Sequence, residues 1–236
     1  EETLNGDIFK PNGVCSHQCW SETMILQPAI EGMLGFDADV LNNQLRLSPA
    51  FPWDWKFCTV HNIRMGNMKY SLDMKRSANS TTYTIEAGKA TNLSFAPVFP
   101  LHTGIEAITC NGKPVAFTRD KEAVQMQLQL TAGKNEIRIS TKGGINLLPV
   151  VADPLPGDSS TGINIIREII TGNKYIATVS GRPGKQYVLK LFHQEHPGDI
   201  KGATLLGREE NLLTLRVQMP SSAEHYVEQN IEITLQ

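Results

Sequence analysis

The stretch Thr59-Val60-His61-Asn62-Ile63-Arg64-Met65-Gly66-Asn67-Met68-Lys69-Tyr70-Ser71-Leu72-Asp73-Met74 alternates apolar with polar residues on both sides of Gly66-Asn67. A period of two sends successive side chains to opposite faces, so each half reads as a half-buried antiparallel strand and Gly66-Asn67 as the turn between them. The same pattern continues outward through Leu45-Arg46-Leu47 and residues 82–87, 93–96, 105–110, 124–130 and 136–140. Ala78-Asn79-Ser80, Gly88-Lys89, Asn111-Gly112 and Gly133-Lys134 punctuate these segments as turns, and Asn111-Gly112 followed by Lys113-Pro114 is the clearest hairpin signal. From Leu45 onward the chain is therefore expected to be mostly β.

Composition shifts at Gly143-Gly144 and again over Asp153-Pro154-Leu155-Pro156-Gly157-Asp158-Ser159-Ser160, a polar passage that reads as a linker or a long surface crossing. Strands resume at 163–170, 175–180, 187–192, 212–219 and 227–235. These suffice for a small antiparallel sandwich resembling an immunoglobulin-like module, giving β regions at 37–150 and 151–236. One large double-sheet structure holding both strand sets is the alternative, and the sequence does not separate the two.

Ahead of residue 37 the period changes. Trp20, Met24, Ile25, Ile30, Met33 and Leu34 recur at three and four, Ser16 is placed to cap a helix start and Gly35 its end. Pro28 removes a backbone donor, so a break near Met24 is expected. The segment is apolar on more than one side, as in a helix packed within a larger helical array.

With 236 residues and 40% hydrophobic content the chain can build a globular core. Its 22 basic and 24 acidic residues are interspersed and sum to −2, so no basic stripe is available for a phosphate backbone and nucleic acid is not an expected partner. Apolar runs fall well short of the roughly 20 residues that cross a bilayer. Glu1-Glu2-Thr3-Leu4 carries neither an initiator Met nor a signal peptide, which suggests a fragment or processed piece of a longer protein. Cys15, Cys19, Cys58 and Cys110 lack metal-ligand spacing, and no metal or other cofactor is expected. Cys15 and Cys19 share a helix face, as a pair of small buried thiols would. The compartment is left open, with a soluble protein, periplasmic or secreted, compatible with the sequence.

Candidate chemistry lies in a few places. Glu1, Glu2 and Asp7 flank Asn5-Gly6 and are read as solvated carboxylates with a secondary reading as acid or base. His17 and Trp20, at the helix start with Gln18 and Glu22, could line a polar pocket in which the indole stacks on a sugar ring; packing of Trp20 in a core is the preferred reading. Phe51-Pro52-Trp53-Asp54-Trp55-Lys56-Phe57 is either a carbohydrate platform or, as preferred, a fastening that joins the helical part to the first sheet. His193, Glu195 and His196 precede Pro197-Gly198-Asp199, so a turn is the better reading than a metal site. Neither a Gly-rich phosphate loop nor a Gly-x-Ser-x-Gly elbow appears.

The order Glu2-Thr3-Leu4-Asn5-Gly6-Asp7, Ser16-His17-Gln18-Cys19-Trp20-Ser21, Leu34-Gly35-Phe36, Leu45-Arg46-Leu47-Ser48-Pro49 and Pro52-Trp53-Asp54-Trp55 resembles the end of the catalytic domain of glycoside hydrolases similar to glycogen-debranching (amylo-α-1,6-glucosidase-like) enzymes. The resemblance covers Glu1 to about Trp55; residues 156–162 and 181–187 are similar, more weakly, to the region C-terminal to such domains. It implies that residues 1–36 end an (α/α)6 barrel whose active site takes an oligo- or polysaccharide, and that the β part caps or braces it. It also implies that Glu2 is a catalytic carboxylate, plausible as the base of an inverting pair separated by about 6.5–9.5 Å. The partner acid would lie on an earlier helix in a missing N-terminal region, so this chain alone is expected to be inactive. His17 and Trp20 would line the substrate pocket, although Cys19 departs from the pattern by standing where a bulkier aromatic is usual. A non-catalytic carbohydrate-binding or structural β-sandwich protein is the alternative.

Overall fold

A computed structural model describes residues 19–120, 122–150 and 162–235, with side chains from Thr23 onward. The expected helix is present in part. Helix α1 (Cys19–Gln27) passes at Pro28 into a wider π-helical turn (Pro28–Met33). The break falls at the proline itself and not near Met24, because the chain beyond it shifts register: the Leu34 amide bonds to the Ala29 carbonyl five residues back, at 3.0 Å. The proposed cap Ser16 lies outside the described residues. Gly35 ends the helix as expected, for two reasons. Its φ is +62°, and a Cβ there would lie 2.5 Å from the Ser48 carbonyl oxygen. Ser48 and Ala50 return this contact by donating their amides to the Leu34 and Met33 carbonyls at 3.2 and 2.8 Å.

The chain then forms β1 (Asp37–Asp39), β2 (Gln44–Leu47), β3 (Phe57–Met65), β4 (Met68–Ser77), β5 (Ser80–Ala87), β6 (Thr91–Phe95), β7 (Leu101–Cys110), β8 (Lys113–Pro114), β9 (Thr118–Asp120), β10 (Ala123–Leu130) and β11 (Gly133–Leu148). After the segment 151–161 come β12 (Asn164–Thr171), β13 (Lys174–Gly181), β14 (Gln186–His193), β15 (Ile200–Lys201), β16 (Thr204–Glu209), β17 (Leu212–Gln218) and β18 (Val227–Thr234). The protein is thus mostly β, with antiparallel sheets preceded by a short helix. One ladder departs from that rule: β2 and β6 run parallel, Leu45 opposite Leu93 and Leu47 opposite Phe95. The predicted hairpin is present between β7 and β8, with Asn111 and Gly112 at φ of +50° and +77°.

A five-stranded sheet, β1-β2-β6-β10-β9, faces the β3-β4-β5-β11 part of a nine-stranded sheet that also holds β7 and β8. Leu45, Leu47, Leu93, Phe95, Val124 and Met126 from one layer meet Leu72, Met74, Tyr83, Ile85, Ile137 and Ile139 from the other, all buried. Tyr83 meets Phe95 edge to face across the layers at 5.0 Å, and burial pushes its phenol up to about 12. The other end of the nine-stranded sheet, β14-β17-β16, packs on a four-stranded sheet, β12-β13-β18-β15. There Leu189, Leu191, Leu213, Leu215 and Val217 lie against Tyr175, Ala177, Val179, Ile231 and Ile233. Strand β11 belongs to both halves: Ile137 and Ile139 lie in the first core and Ile145 and Leu147 in the second. Between them Gly143 and Gly144 adopt φ of +70° and +112°, and a Cβ on Gly144 would lie 2.7 Å from Thr103 Oγ1. The glycine pair lets one strand turn from the first sandwich into the second without breaking.

Candidate functional site

The segment after β2 leaves the sheet at Pro49-Ala50 and forms a tight turn, Pro52-Trp53-Asp54-Trp55, in which the Trp55 amide bonds to the Pro52 carbonyl at 3.2 Å. Two prolines in four residues suit an irregular turn, because neither can donate to a ladder. Arg76, near the end of β4, holds this turn from beneath: Nη1 donates to the Pro52 carbonyl at 2.7 Å and to the Trp55 carbonyl at 3.1 Å. Its guanidinium carbon sits 3.7 Å from the centroid of the Trp53 ring, a cation–π contact. Burial lowers the Arg76 pKa from its ordinary value, partly offset by Tyr83 and Asp54, and its Nε is buried without an acceptor among the described residues.

The two tryptophans part company here. Trp53 lies between Phe99 of the first core, at 5.6 Å, and Phe192 of β14, at 5.4 Å. It is a fastening, as expected of this segment, but what it joins is the first sandwich to the second-sandwich strand β14. The helix end is held instead by the backbone bonds from Ser48 and Ala50 and by burial of Leu34 and Phe51 in the first core. Trp55 stays 40% exposed, its indole stacked on Phe51 with ring planes 17° apart and centroids 6.3 Å apart.

Three clefts meet at this turn. The first, about 630 Å³, is lined by Phe51 and Trp53 and by charge from Glu122, just ahead of β10, and from Arg167 and Glu168 on β12. Glu168 is held by protein donors: the Tyr175 hydroxyl at 2.5 Å, the Leu147 amide at 2.7 Å and Asn146 Nδ2 at 3.1 Å. Burial, then the carboxylate beside it, raises the Tyr175 phenol well above its ordinary value. Glu168 thereby ties β12 and β13 to the second half of β11, and its lone pairs are spent on that task. The second cleft, about 460 Å³, lies between Trp53, Trp55, Arg76, Asn211 and the Lys56–Glu210 ion pair, which measures 3.2 Å. The third, about 470 Å³, is mainly apolar, with Asp54 and Lys190 beside Trp55, Val150 and Val188.

Of the residues singled out for catalysis and substrate binding, Glu2 and His17 lie outside the described residues, as does the side chain of Trp20. His193 is buried, with Nδ1 3.4 Å from the Gly144 carbonyl, whereas His196 is exposed and its Nδ1 faces Arg208 at 3.3 Å. Among the described residues no three His, Cys, Asp or Glu side chains converge as metal ligands do, and no helix is long and apolar enough to cross a membrane. Sequence reasoning missed Arg76 and Glu168. Nothing in a strand pattern marks a charge that turns inward to hold a neighbouring turn, although an Arg at the end of an alternating run opposite an aromatic segment is a usable hint.

The fold and this junction define a two-core antiparallel β protein with a short helix at its entry. No family model and no curated protein matches the chain. Among solved structures it is similar to a GH127 β-L-arabinofuranosidase from Geobacillus stearothermophilus T6, at 9% identity and a TM-score of 0.36 over 88% of this chain and 33% of that one. It is also similar to a chain described as a glycoside hydrolase, at 15% identity and a TM-score of 0.30 over 75% of this chain and 33% of that one. A third is a chondroitin AC lyase from Streptomyces coelicolor A3, at 11% identity and a TM-score of 0.25 over 78% of this chain and 35% of that one. The chain spans about a third of the length of each of these structures.

Proposed function

We propose that this chain is the β-rich brace of a glycoside hydrolase, set behind a helical (α/α)6 barrel to whose end residues 1–36 belong, with β modules at 37–150 and 151–236. The observation that carries this is the state of α1. Met24, Ile25 and Leu26 are 71%, 73% and 58% exposed, and Ile30 beyond them is 44% exposed. Consecutive residues on a helix point about 100° apart, so three apolar neighbours in a row face three directions. One sheet cannot cover them all. Packing among further helices would, which is the setting the resemblance of residues 1–55 implies. In that setting Glu2 is the catalytic carboxylate and His17 and Trp20 line the pocket for an oligo- or polysaccharide, while the partner acid comes from a helix earlier in the longer protein.

The chain by itself should then show no turnover of aryl glycosides or of an α-1,6-branched glucan. Hydrolysis by it at a measurable rate would remove the proposal. In the longer protein that includes the upstream helices, Glu2→Gln should lower kcat by about 10² to 10⁴ with little change in KM. Unchanged kcat would detach Glu2 from catalysis.

A further inference from the structure

We propose that the cleft between Trp53, Trp55, Arg76 and Asn211 is a binding site for a neutral saccharide, with the Trp55 indole as its platform. Trp55 is an exposed aromatic ring that is held rather than loose: Phe51 stacks on it, its amide bonds back to Pro52, and Arg76 holds its carbonyl at 3.1 Å. A ring fixed before binding loses little freedom when a ligand lies on it, which is why rigid aromatics recur as anchors. The C–H face of a pyranose or furanose packs on such a surface while its hydroxyls need donors and acceptors around the edge.

Those groups are concentrated in one of the two clefts that Trp55 borders. The cleft shared with Trp53 is lined by Asp54, Lys56, Arg76, Ser77, Glu210 and Asn211, and its volume of about 460 Å³ is of the order of ordinary small-ligand sites. The second cleft bordered by Trp55 offers only Asp54 and Lys190 among apolar neighbours, a poor match for a hydroxyl-rich ligand. Charge selects the saccharide class. Lys56 is neutralised by Glu210 at 3.2 Å and Arg76 faces Asp54, so the lining carries both signs in equal number and gives no advantage to an anionic sugar. The site does not depend on the chain bracing a barrel, since every group named belongs to the β part.

The test uses the chain labelled with fluorotryptophan, whose Trp55 resonance is assigned by loss in Trp55→Phe. Titration with maltotriose and, separately, xylotriose to millimolar concentration should move the Trp55 resonance more than that of Trp53, with a galacturonate trisaccharide moving it less. Calorimetry of Trp55→Ala should show affinity reduced about tenfold or more, and Trp55→Phe should retain most of it. Three results would overturn the site: an unmoved Trp55 resonance with both neutral trisaccharides, equal affinity in Trp55→Ala, or a Trp55 fluorine resonance in the longer protein with no H2O–D2O solvent isotope shift because another part covers the cleft. All three leave the bracing role standing, and activity of the isolated chain would sink that role without touching this one.

Discussion

Strand β11 is two different strands end to end. From Gly133 to Ser140 it pairs residue for residue with β5 on one edge, and from Ile137 onward with β7 on the other. Past the glycine pair it meets β14 through only Ile145–Leu148. The first half is ordered by its own sheet, with a full ladder on one edge, a second ladder from Ile137 on the other, and apolar side chains below. The second half is joined to its sandwich by a four-residue ladder that needs help from side chains: Trp53 against Phe192, and Glu168 against the Leu147 amide. The lesson is that the two cores are each built by pattern, whereas their junction is built by particular residues.

Removing Trp53 should break that contrast most. Trp53→Ala deletes a ring packed between Phe99 and Phe192 and uncovers the Arg76 guanidinium, a loss of about 3–5 kcal/mol by analogy with large-to-small changes in cores. Urea unfolding should shift to lower concentration and separate into two steps, as the sandwiches lose their shared anchor. A single transition at the wild-type midpoint would mean that the ladder alone holds the halves together. Glu168→Ala comes next. It orphans the Leu147 amide, Asn146 Nδ2 and the Tyr175 hydroxyl, and should cost about 1–3 kcal/mol. Hydrogen exchange should speed up at Leu147 and along β12 and β13, but not at Ile137 or Ile139. Uniform loss of protection across both cores would erase the distinction drawn between the two halves of β11.

The legibility of the fold in the sequence divides along the same line. Regular strands such as β4, β5, β13 and β14 are legible because one face is buried and the other wet, so alternation reports them directly. Gly143-Gly144 reads as a shift in composition, yet the strand passes through it, since positive φ at both glycines bends the backbone while Thr103 and Leu101 of β7 keep pairing alongside. Strand β16 is invisible for the opposite reason: Leu205 and Leu206 are both exposed on an edge strand, and no period survives. In the candidate site, aromatic content and a fastening role were legible, but not which ring fastens or what it joins. Trp53 and Trp55 sit in an irregular turn to which neither a helical nor a strand period applies, and the direction of Trp53 depends on Arg76, Phe99 and Phe192, brought in from elsewhere in the fold. For Glu2, His17 and Trp20 the residues alone gave a site only as the lesser reading, and it is the resemblance that raises them to catalytic and pocket roles.

The smallest expected effect is a pH dependence, also at the junction. His193 ends β14 opposite Ile145, and its imidazole is buried with Nε2 lacking an acceptor among the described residues. Burial lowers its pKa below the ordinary 6.5; the Gly144 carbonyl and Glu195 pull upward, while Arg208 and His102 add to the lowering. The folded state therefore favours the neutral ring. Below pH 6.5 the unfolded chain takes up a proton that the folded chain refuses, so stability falls as pH drops from 6.5 toward the folded pKa and then levels off. One proton limits the slope to about 1.4 kcal/mol per pH unit. Thermal melts of wild type and His193→Asn across this window should differ in slope, the variant losing less on acidification, with the extra sensitivity of the wild type confined to the β11–β14 side. Parallel curves would show that the imidazole reaches solvent, and that the joint between the two sandwiches is looser than its ladder and rings imply.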